Sequence, residues 1–207
     1  MKLPLTHIWQ PAYETSQSLV VVLHGLGDSA NGFTWLQEEL GIDTLNFLLL
    51  NAPTPYYVGF SWYDLFPHQL PGIVESRKLL EGVFNETQQH GYPPEKTFLF
   101  GFSQGCLMTL EFGARHQHRL AGYVGISGYS IDPDALVRGL NPAVNRGGWL
   151  VTHGLYDELI PVEKVREQIK VLKEGGFSID YREYAKSHTI DPQRELPEIR
   201  EFIRRLI

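Results

Sequence analysis

The segment Gly101-Phe102-Ser103-Gln104-Gly105 is the part of the sequence best suited to chemistry, because it places a serine between two glycines in the pattern G-x-S-x-G. A serine at a sharp strand-to-helix turn adopts strained backbone angles, and flanking glycines leave room where a Cβ would clash. An apolar run precedes this serine and a helical pattern follows it. We therefore predict that Ser103 is a nucleophile, with a structural glycine-rich turn as the alternative.

A serine hydroxyl is a weak nucleophile unless a base accepts its proton and a third group orients that base. After a serine in this pattern, the acid and then the histidine are expected further along the chain. Asp157 follows the apolar run 149–152, and His188 is the one histidine beyond it. The sequence thus predicts Asp157 as the acid and His188 as the base. Glu158 is the nearest competitor for the acid role, and a helix-start carboxylate is the alternative role for Asp157.

Acyl transfer also needs backbone N–H donors for the oxyanion, one after the nucleophile and one from the loop after an early strand. Gln104 follows the serine directly, and the loop 24–28, His-Gly-Leu-Gly-Asp, follows the first long apolar run. We predict the N–H groups of Leu26 and Gln104 as these donors. A plain turn or a phosphate cradle is the alternative for the loop, although it lacks the spacing of known phosphate-binding motifs.

The other histidines do not form a metal site in the sequence. His24 and His153 each stand before a glycine after a predicted strand, where orienting a loop by hydrogen bonds is the expected role. The pair His116 and His118 lies at a predicted helix end, where histidine compensates the helix dipole. No cluster has zinc-ligand spacing, so neither a metal nor another cofactor is expected.

Short apolar runs alternating with helical patterns must position these residues. Six strands are predicted, at 18–23, 45–50, 97–100, 121–126, 149–152 and 179–183, with amphipathic helices after the second, third, fifth and sixth runs. Such alternation predicts a parallel sheet with helices on both faces, whose ligands bind at the carboxyl ends of the strands. The segment 51–72 is predicted to be a long irregular loop of functional importance.

Composition and charge exclude several classes of protein. The 207 residues fit one domain, 1–207, and 43% hydrophobic with 20% charged residues is ordinary globular usage. With 18 Lys and Arg against 24 Asp and Glu, the chain lacks the clustered cations that nucleic-acid binding requires. No apolar run is long enough to span a bilayer, so no membrane insertion is expected. One cysteine, Cys106, and no secretory pattern predict a cytoplasmic protein.

Six segments together resemble the small carboxylesterases and acyl-protein thioesterases of the α/β-hydrolase superfamily, also called the phospholipase/carboxylesterase family. They occur in the family's order and are Leu23 to Asp28, Ser61-Trp62-Tyr63-Asp64, Gly101 to Gly105, Leu120-Ala121-Gly122 with Ile126 to Tyr129, His153-Gly154 with Asp157, and His188. The Gln after the serine and the His-Gly-Leu-Gly-Asp loop are more specific than the serine motif itself.

The resemblance implies a three-layer α/β-hydrolase fold: a mostly parallel central sheet with helices on both faces and no large cap domain. It implies the same catalytic set, Ser103, Asp157 and His188 with the Leu26 and Gln104 donors, and no cofactor. The expected reaction is hydrolysis of short- to medium-chain carboxylic esters, or of acyl thioesters, through an acyl-enzyme. A lysophospholipase, a deacylase of acylated proteins and a non-catalytic binding module on the same fold are the alternatives.

The resemblance also implies a pocket near the segment 61–64. We predict that Trp62, Leu65, Phe66 and Leu70 bind substrate, with Ile73 a further candidate for an acyl groove; burying the loop is the alternative role for them. Exposed aromatic side chains there would equally suit a homodimer surface. Two positions depart from the family pattern: Ser187 stands where glycine is common before the histidine, and Cys106 where a smaller residue is usual.

Overall fold

A seven-stranded sheet forms the centre of the computed structural model, which describes residues 1–143 and 148–207. Its strands are β1 (His7–Gln10), β2 (Ser18–Leu23), β3 (Leu45–Leu50), β6 (Thr97–Phe102), β7 (Gly122–Ile126), β8 (Gly148–Gly154) and β9 (Ile179–Tyr184). Their order is β1-β3-β2-β6-β7-β8-β9, and every neighbouring pair is parallel except β1 with β3. All six predicted strands are confirmed, with ends that differ by up to two residues.

The inner strands are buried on both faces, which explains why they read as unbroken apolar runs. Every residue of β3 is buried, and in β2 only Ser18 at its start is partly exposed. A strand covered on both faces has no solvent side to alternate with, so Val, Leu and Phe occupy successive positions. Because these strands are parallel, the carboxyl ends of β2, β6, β7, β8 and β9 meet at one edge of the sheet.

Helices cover both faces of the sheet, as predicted. They are α1 (Leu36–Leu40), α2 (Gln69–Gln89), α3 (Gln104–Gly113), α4 (Pro133–Arg138), α5 (Val162–Glu174) and α6 (Glu195–Arg204). The apolar side chains of α1 and α6 join one core layer, and those of α2, α3 and α5 join the other. Pro161 precedes α5 and Gly175 ends it, as the preference for proline at helix starts and glycine after helix ends predicts.

Three short strands were not predicted from the sequence. The strand β1 has four residues and lies at the antiparallel edge of the sheet. The segment 51–72, predicted to be irregular, contains a hairpin of β4 (Thr54–Tyr56) and β5 (Gly59–Ser61). It also contains the start of α2, which carries Ile73 into the core with no exposed surface. The prediction that Ile73 lines an acyl groove is therefore wrong.

Candidate active site

Ser103 stands at a sharp turn between the end of β6 and the start of α3. Its backbone angles are φ 55° and ψ −114°, a region that residues with a side chain rarely adopt. A Cβ on Gly101 would lie 2.1 Å from the Gly105 carbonyl oxygen, and a Cβ on Gly105 would lie 2.1 Å from that of Leu23. Both glycines of the motif are therefore required by close backbone packing, which holds the serine in its strained conformation.

His188 and Asp157 extend from this serine in one continuous chain of hydrogen bonds. His188 Nε2 lies 2.9 Å from Ser103 Oγ, and His188 Nδ1 lies 2.8 Å from Asp157 Oδ2. Ser103 follows β6, Asp157 follows β8 and His188 follows β9, so three strands of one sheet bring together residues far apart in sequence. The three predicted residues thus have the geometry that general-base activation of a serine requires.

The Asp157 carboxylate is oriented by its own loop. Its Oδ1 atom accepts hydrogen bonds from the backbone N–H groups of Leu159, at 3.0 Å, and Ile160, at 2.9 Å. This leaves Oδ2 directed at the imidazole of His188. The competing carboxylate, Glu158, is exposed. The structure therefore brings Asp157 rather than Glu158 to the histidine.

Two buried histidines support the loops of the site in the neutral state. His24 Nδ1 lies 2.6 Å from the Gly25 carbonyl oxygen, and His24 Nε2 accepts a hydrogen bond from the N–H of Ala52, so one ring nitrogen donates while the other accepts. His153 Nε2 lies 2.8 Å from the Ile160 carbonyl oxygen, while its Nδ1 is buried and unpaired in the described chain. Burial lowers the pKa of both imidazoles, partly offset by these hydrogen bonds.

The neutral histidines predict a loss of stability in mild acid. Below about pH 6.5, the ordinary histidine value, the unfolded chain binds protons at His24 and His153 that the folded chain does not bind. The free energy of unfolding should therefore fall with decreasing pH, by up to ~1.4 kcal/mol per pH unit for each histidine until its lowered folded pKa is reached. Urea denaturation at a series of pH values measures this slope.

A pair of variants identifies the source of that slope. His24→Gln keeps an acceptor for the Ala52 N–H and removes the titrating ring, so the slope between pH 6.5 and the lowered pKa should decrease. His7 is exposed, and His7→Gln serves as the matched control that leaves the slope unchanged. An equal slope in wild type and His24→Gln would contradict a neutral buried His24.

The predicted oxyanion donors lie beside Ser103. Leu26 and Gln104 line the same cavity as Ser103 and His188, which has a volume of about 130 Å³. Within residues 1–143 and 148–207, neither backbone N–H has an acceptor. Gln104 owes this to its place at the first position of α3, where N–H groups have no partner in the preceding turn. Both groups are thus available to an oxygen atom bound above the serine.

The side chain of Gln104 connects the serine turn to the hairpin, a role that the sequence pattern did not indicate. Its Oε1 accepts a hydrogen bond from the N–H of Trp62 at 2.9 Å, and its Nε2 donates to the Tyr63 carbonyl oxygen at 2.9 Å. The Trp62 indole N–H donates to the His24 carbonyl oxygen. Trp62 has no exposed surface and cannot contact a substrate. Its assignment to substrate binding is therefore wrong, and its side chain supports the site from beneath.

The remaining predicted pocket residues are Leu65, Phe66 and Leu70. Leu65 lines the cavity that contains Ser103, and Phe66 lines an adjoining cavity of about 270 Å³. Leu70 is exposed on α2 and lines neither of these two cavities, so its role in substrate binding stays a prediction. Three residues not predicted, Tyr129, Leu159 and Ile160, line both cavities. They follow β7 and β8, so their position after strand ends was the signal available in the sequence.

A buried ion pair fixes the loop that carries His188. Lys186 Nζ lies 2.6 Å from both carboxylate oxygens of Glu195, the first residue of α6, and both side chains are almost fully buried. Glu195 Oε2 also accepts a hydrogen bond from the N–H of Asp191. The carboxylate therefore holds the loop on both sides of the histidine. Burial lowers the pKa of Lys186, opposed by the charge of Glu195.

The two departures from the family pattern leave the catalytic geometry intact. Ser187 is exposed, and its carbonyl oxygen accepts a hydrogen bond from the N–H of Thr189. Cys106 is fully buried, and a Cβ on Gly128 would lie 2.4 Å from the Cys106 Cβ, so glycine there accommodates the larger side chain. Burial raises the pKa of the Cys106 thiol to about 12, which disfavours the reactive thiolate.

The described residues provide neither a metal site nor a membrane-spanning helix. No group of three or more His, Cys, Asp or Glu side chains in this part of the chain is placed to hold a metal ion. In the same residues, no helix is both long and apolar enough to cross a membrane. Over 1–143 and 148–207, the carboxyl edge of the sheet carries a hairpin and loops rather than a large cap.

A mostly parallel sheet with helices on both faces and a serine at a strained strand-to-helix turn is the α/β-hydrolase fold. The model of the phospholipase/carboxylesterase family matches residues 6–207. The chain belongs to this family, and the resemblance read from its motifs is confirmed.

Three similar proteins illustrate the relationship. Acyl-protein thioesterase 1 of Yarrowia lipolytica is 32% identical over 167 residues, covering 72% of this chain and 74% of that protein. Acyl-protein thioesterase 1 of Emericella nidulans is 28% identical over 225 residues, covering 95% and 93%. The crystal structure of esterase PE8 superposes with a TM-score of 0.88 at 26% identity, covering 98% of this chain and 99% of that one.

Proposed function

We propose that this chain hydrolyses carboxylic esters and acyl thioesters through an acyl-enzyme on Ser103. The observation that carries the proposal is the unbroken series of hydrogen bonds from Ser103 through His188 to Asp157, built on a strained serine. His188 accepts the Ser103 proton as the hydroxyl oxygen attacks the carbonyl carbon. The same proton then passes to the leaving group, and a water molecule activated by His188 hydrolyses the acyl-enzyme.

The backbone donors and the acid act on the charges that develop during this reaction. The N–H groups of Leu26 and Gln104 stabilise the oxyanion, a contribution of about 3–4 kcal/mol per donor in comparable sites. Asp157 holds the imidazole in the tautomer with a proton on Nδ1 and stabilises the imidazolium that forms. Because backbone groups and three side chains complete the reaction, the proposal includes no cofactor.

The acyl chain is proposed to occupy the cavity that contains Ser103 and the adjoining cavity beside Phe66. Leu65, Leu159 and Ile160 provide apolar side chains along this path. The first cavity, of about 130 Å³, suits short acyl groups, and the second extends the path for longer ones. Names of relatives such as acyl-protein thioesterase 1 support acylated proteins as a second substrate class.

Other parts of the proposal concern the setting of the reaction. The cytoplasm is the proposed compartment, because a chain with one buried cysteine needs no oxidising environment. The exposed hairpin residues Tyr57 and Val58 are the proposed contact in any homodimer. A non-catalytic binding module is disfavoured, because a strained serine aligned with a base has a free-energy cost that binding alone would not require.

Steady-state hydrolysis of aryl esters from acetyl to palmitoyl, beside matched acyl thioesters, tests the proposal. Ester hydrolysis by the wild type that is lost in Ser103→Ala is expected, as is a mass increase on the Ser103 peptide after reaction with a fluorophosphonate. A preference for short esters indicates a general carboxylesterase, and rising rates for long thioesters indicate a deacylase. Absence of Ser103-dependent turnover of every substrate would overturn the proposal.

A further inference from the structure

A third cavity, of about 460 Å³, lies on the other side of His188. Its wall includes Phe33, Trp35, Phe102 and Ile190 together with His188. Ser103, Leu26 and Gln104 line the smaller cavity and not this one. His188 is thus the shared wall between a cavity with the nucleophile and oxyanion donors and a larger cavity without them.

The chemistry of acyl transfer gives the two cavities different roles. In the tetrahedral intermediate, the carbonyl oxygen points to the oxyanion donors, while the leaving atom must lie where His188 can deliver a proton to it. A leaving group therefore extends past His188, away from Leu26 and Gln104. The larger cavity begins at that position.

Aromatic rings lie in a row along this cavity. The ring of Phe102 is 5.1 Å from that of His188, Phe33 is 6.5 Å from Phe102, and Trp35 stacks on Phe33 at 6.0 Å with an interplanar angle of 25°. Trp35 is partly exposed, and its indole N–H is held by the Gly32 carbonyl oxygen. This fixed row of rings suits a broad aromatic or apolar group.

The charges around the cavity restrict the occupant further. Asp28 and Glu39 contribute carboxylates to its lining, and among the described residues that line it there is no lysine or arginine. A negatively charged leaving group would meet these two carboxylates, and no lysine or arginine of the lining would offset them. The cavity therefore favours uncharged leaving groups over anionic ones.

We propose that this cavity, the leaving-group groove, selects esters and thioesters whose alcohol or thiol carries a large uncharged aromatic or apolar group. The proposal rests on the proposed function, because it assigns the leaving group by its need for a proton from His188. It predicts that leaving-group preference and acyl-chain preference are set by separate residues, Trp35 for the first and Leu65 for the second.

Two series of esters test this separation. One varies the alcohol with a constant butanoyl group, and the other varies the acyl chain. With a constant butanoyl group, the 2-(2-naphthyl)ethyl ester should have a kcat/KM about tenfold or more above that of the ethyl ester, although the two alcohols have similar intrinsic reactivity. A carboxylate on the naphthyl ring should remove most of this advantage. Trp35→Ala should reduce the naphthyl-to-ethyl ratio about three- to tenfold, and 2-(2-naphthyl)ethanol should become a weaker competitive inhibitor.

Matched variants identify the groove. Ile190→Ala, in the same cavity, should lower the naphthyl-to-ethyl ratio in the same direction, and circular dichroism establishes that each variant is folded. Leu65→Ala should change the acyl-chain profile and leave the leaving-group ratio unchanged. An unchanged ratio in both groove variants, or a changed acyl-chain profile in Trp35→Ala, overturns the groove assignment. Loss of Ser103-dependent hydrolysis of the ethyl ester in the wild type would instead contradict the proposed function itself.

Discussion

Ser103→Gly is expected to remove hydrolysis and, at the same time, to raise the free energy of unfolding. Loss of the nucleophile should lower kcat about 10⁴- to 10⁶-fold, as removal of a triad serine does in other serine hydrolases. The backbone at φ 55° and ψ −114° carries a strain of about 1–3 kcal/mol for a residue with a Cβ. Glycine relieves this strain and adds about 0.5–1 kcal/mol of backbone entropy cost, so a net gain of about 1 kcal/mol should appear in urea denaturation.

Ser103→Ala is the control that separates the two effects. Alanine removes the hydroxyl but keeps a Cβ in the strained turn, so activity should be lost without the gain in stability. If glycine and alanine variants have the same midpoint of denaturation, the turn is not strained. Residual hydrolysis at a tenth of the wild-type rate or more in either variant would place the nucleophile elsewhere.

Asp157→Asn is expected to lower kcat by about 10⁴-fold while the fold is retained. The amide oxygen can still accept the N–H groups of Leu159 and Ile160. The amide nitrogen would then face His188 Nδ1 as a donor, which favours the tautomer with the proton on Nε2 and leaves no base for Ser103. Pre-steady-state measurement of acyl-enzyme formation, rather than overall turnover alone, should show the slow step at acylation.

Glu158→Gln is the matched control for the acid. Glu158 is the neighbouring carboxylate and is exposed, so its neutralisation should leave kcat within about twofold of the wild type. A large loss of activity in Glu158→Gln, together with a small loss in Asp157→Asn, would assign the acid role to Glu158. The loop would then need a different conformation in the active enzyme.

Local signals in the sequence were sufficient for six of the seven strands of the central sheet and for the three aligned residues. Apolar runs such as 18–23 and 45–50 reveal buried strands because both of their faces lack solvent. The motif around Ser103 reveals the turn because only glycine fits at 101 and 105. Asp157 and His188 then follow from their places after strands, since parallel strands deliver their carboxyl ends to one edge.

Contacts between distant segments could not be predicted in the same way. Trp62 was assigned to the pocket on the family resemblance, with burial of the loop as the alternative. Only the burial of its ring and the contact of its indole with the His24 carbonyl oxygen decide between them. The three-residue strands of the hairpin are too short for a periodic pattern. Ile73 was misassigned because no capping side chain marks the start of α2 at Gln69, so the sequence was interpreted as a loop up to residue 72.

The ion pair between Lys186 and Glu195 bears on when the catalytic residues can align during synthesis of the chain. Ser103 acquires its strained turn from glycines and strands that precede it or follow closely, whereas the loop of His188 is held by a residue on α6. A nascent chain that ends before Glu195 therefore contains all three aligned residues and lacks the anchor for its base. We therefore expect hydrolase activity to appear only when α6 docks.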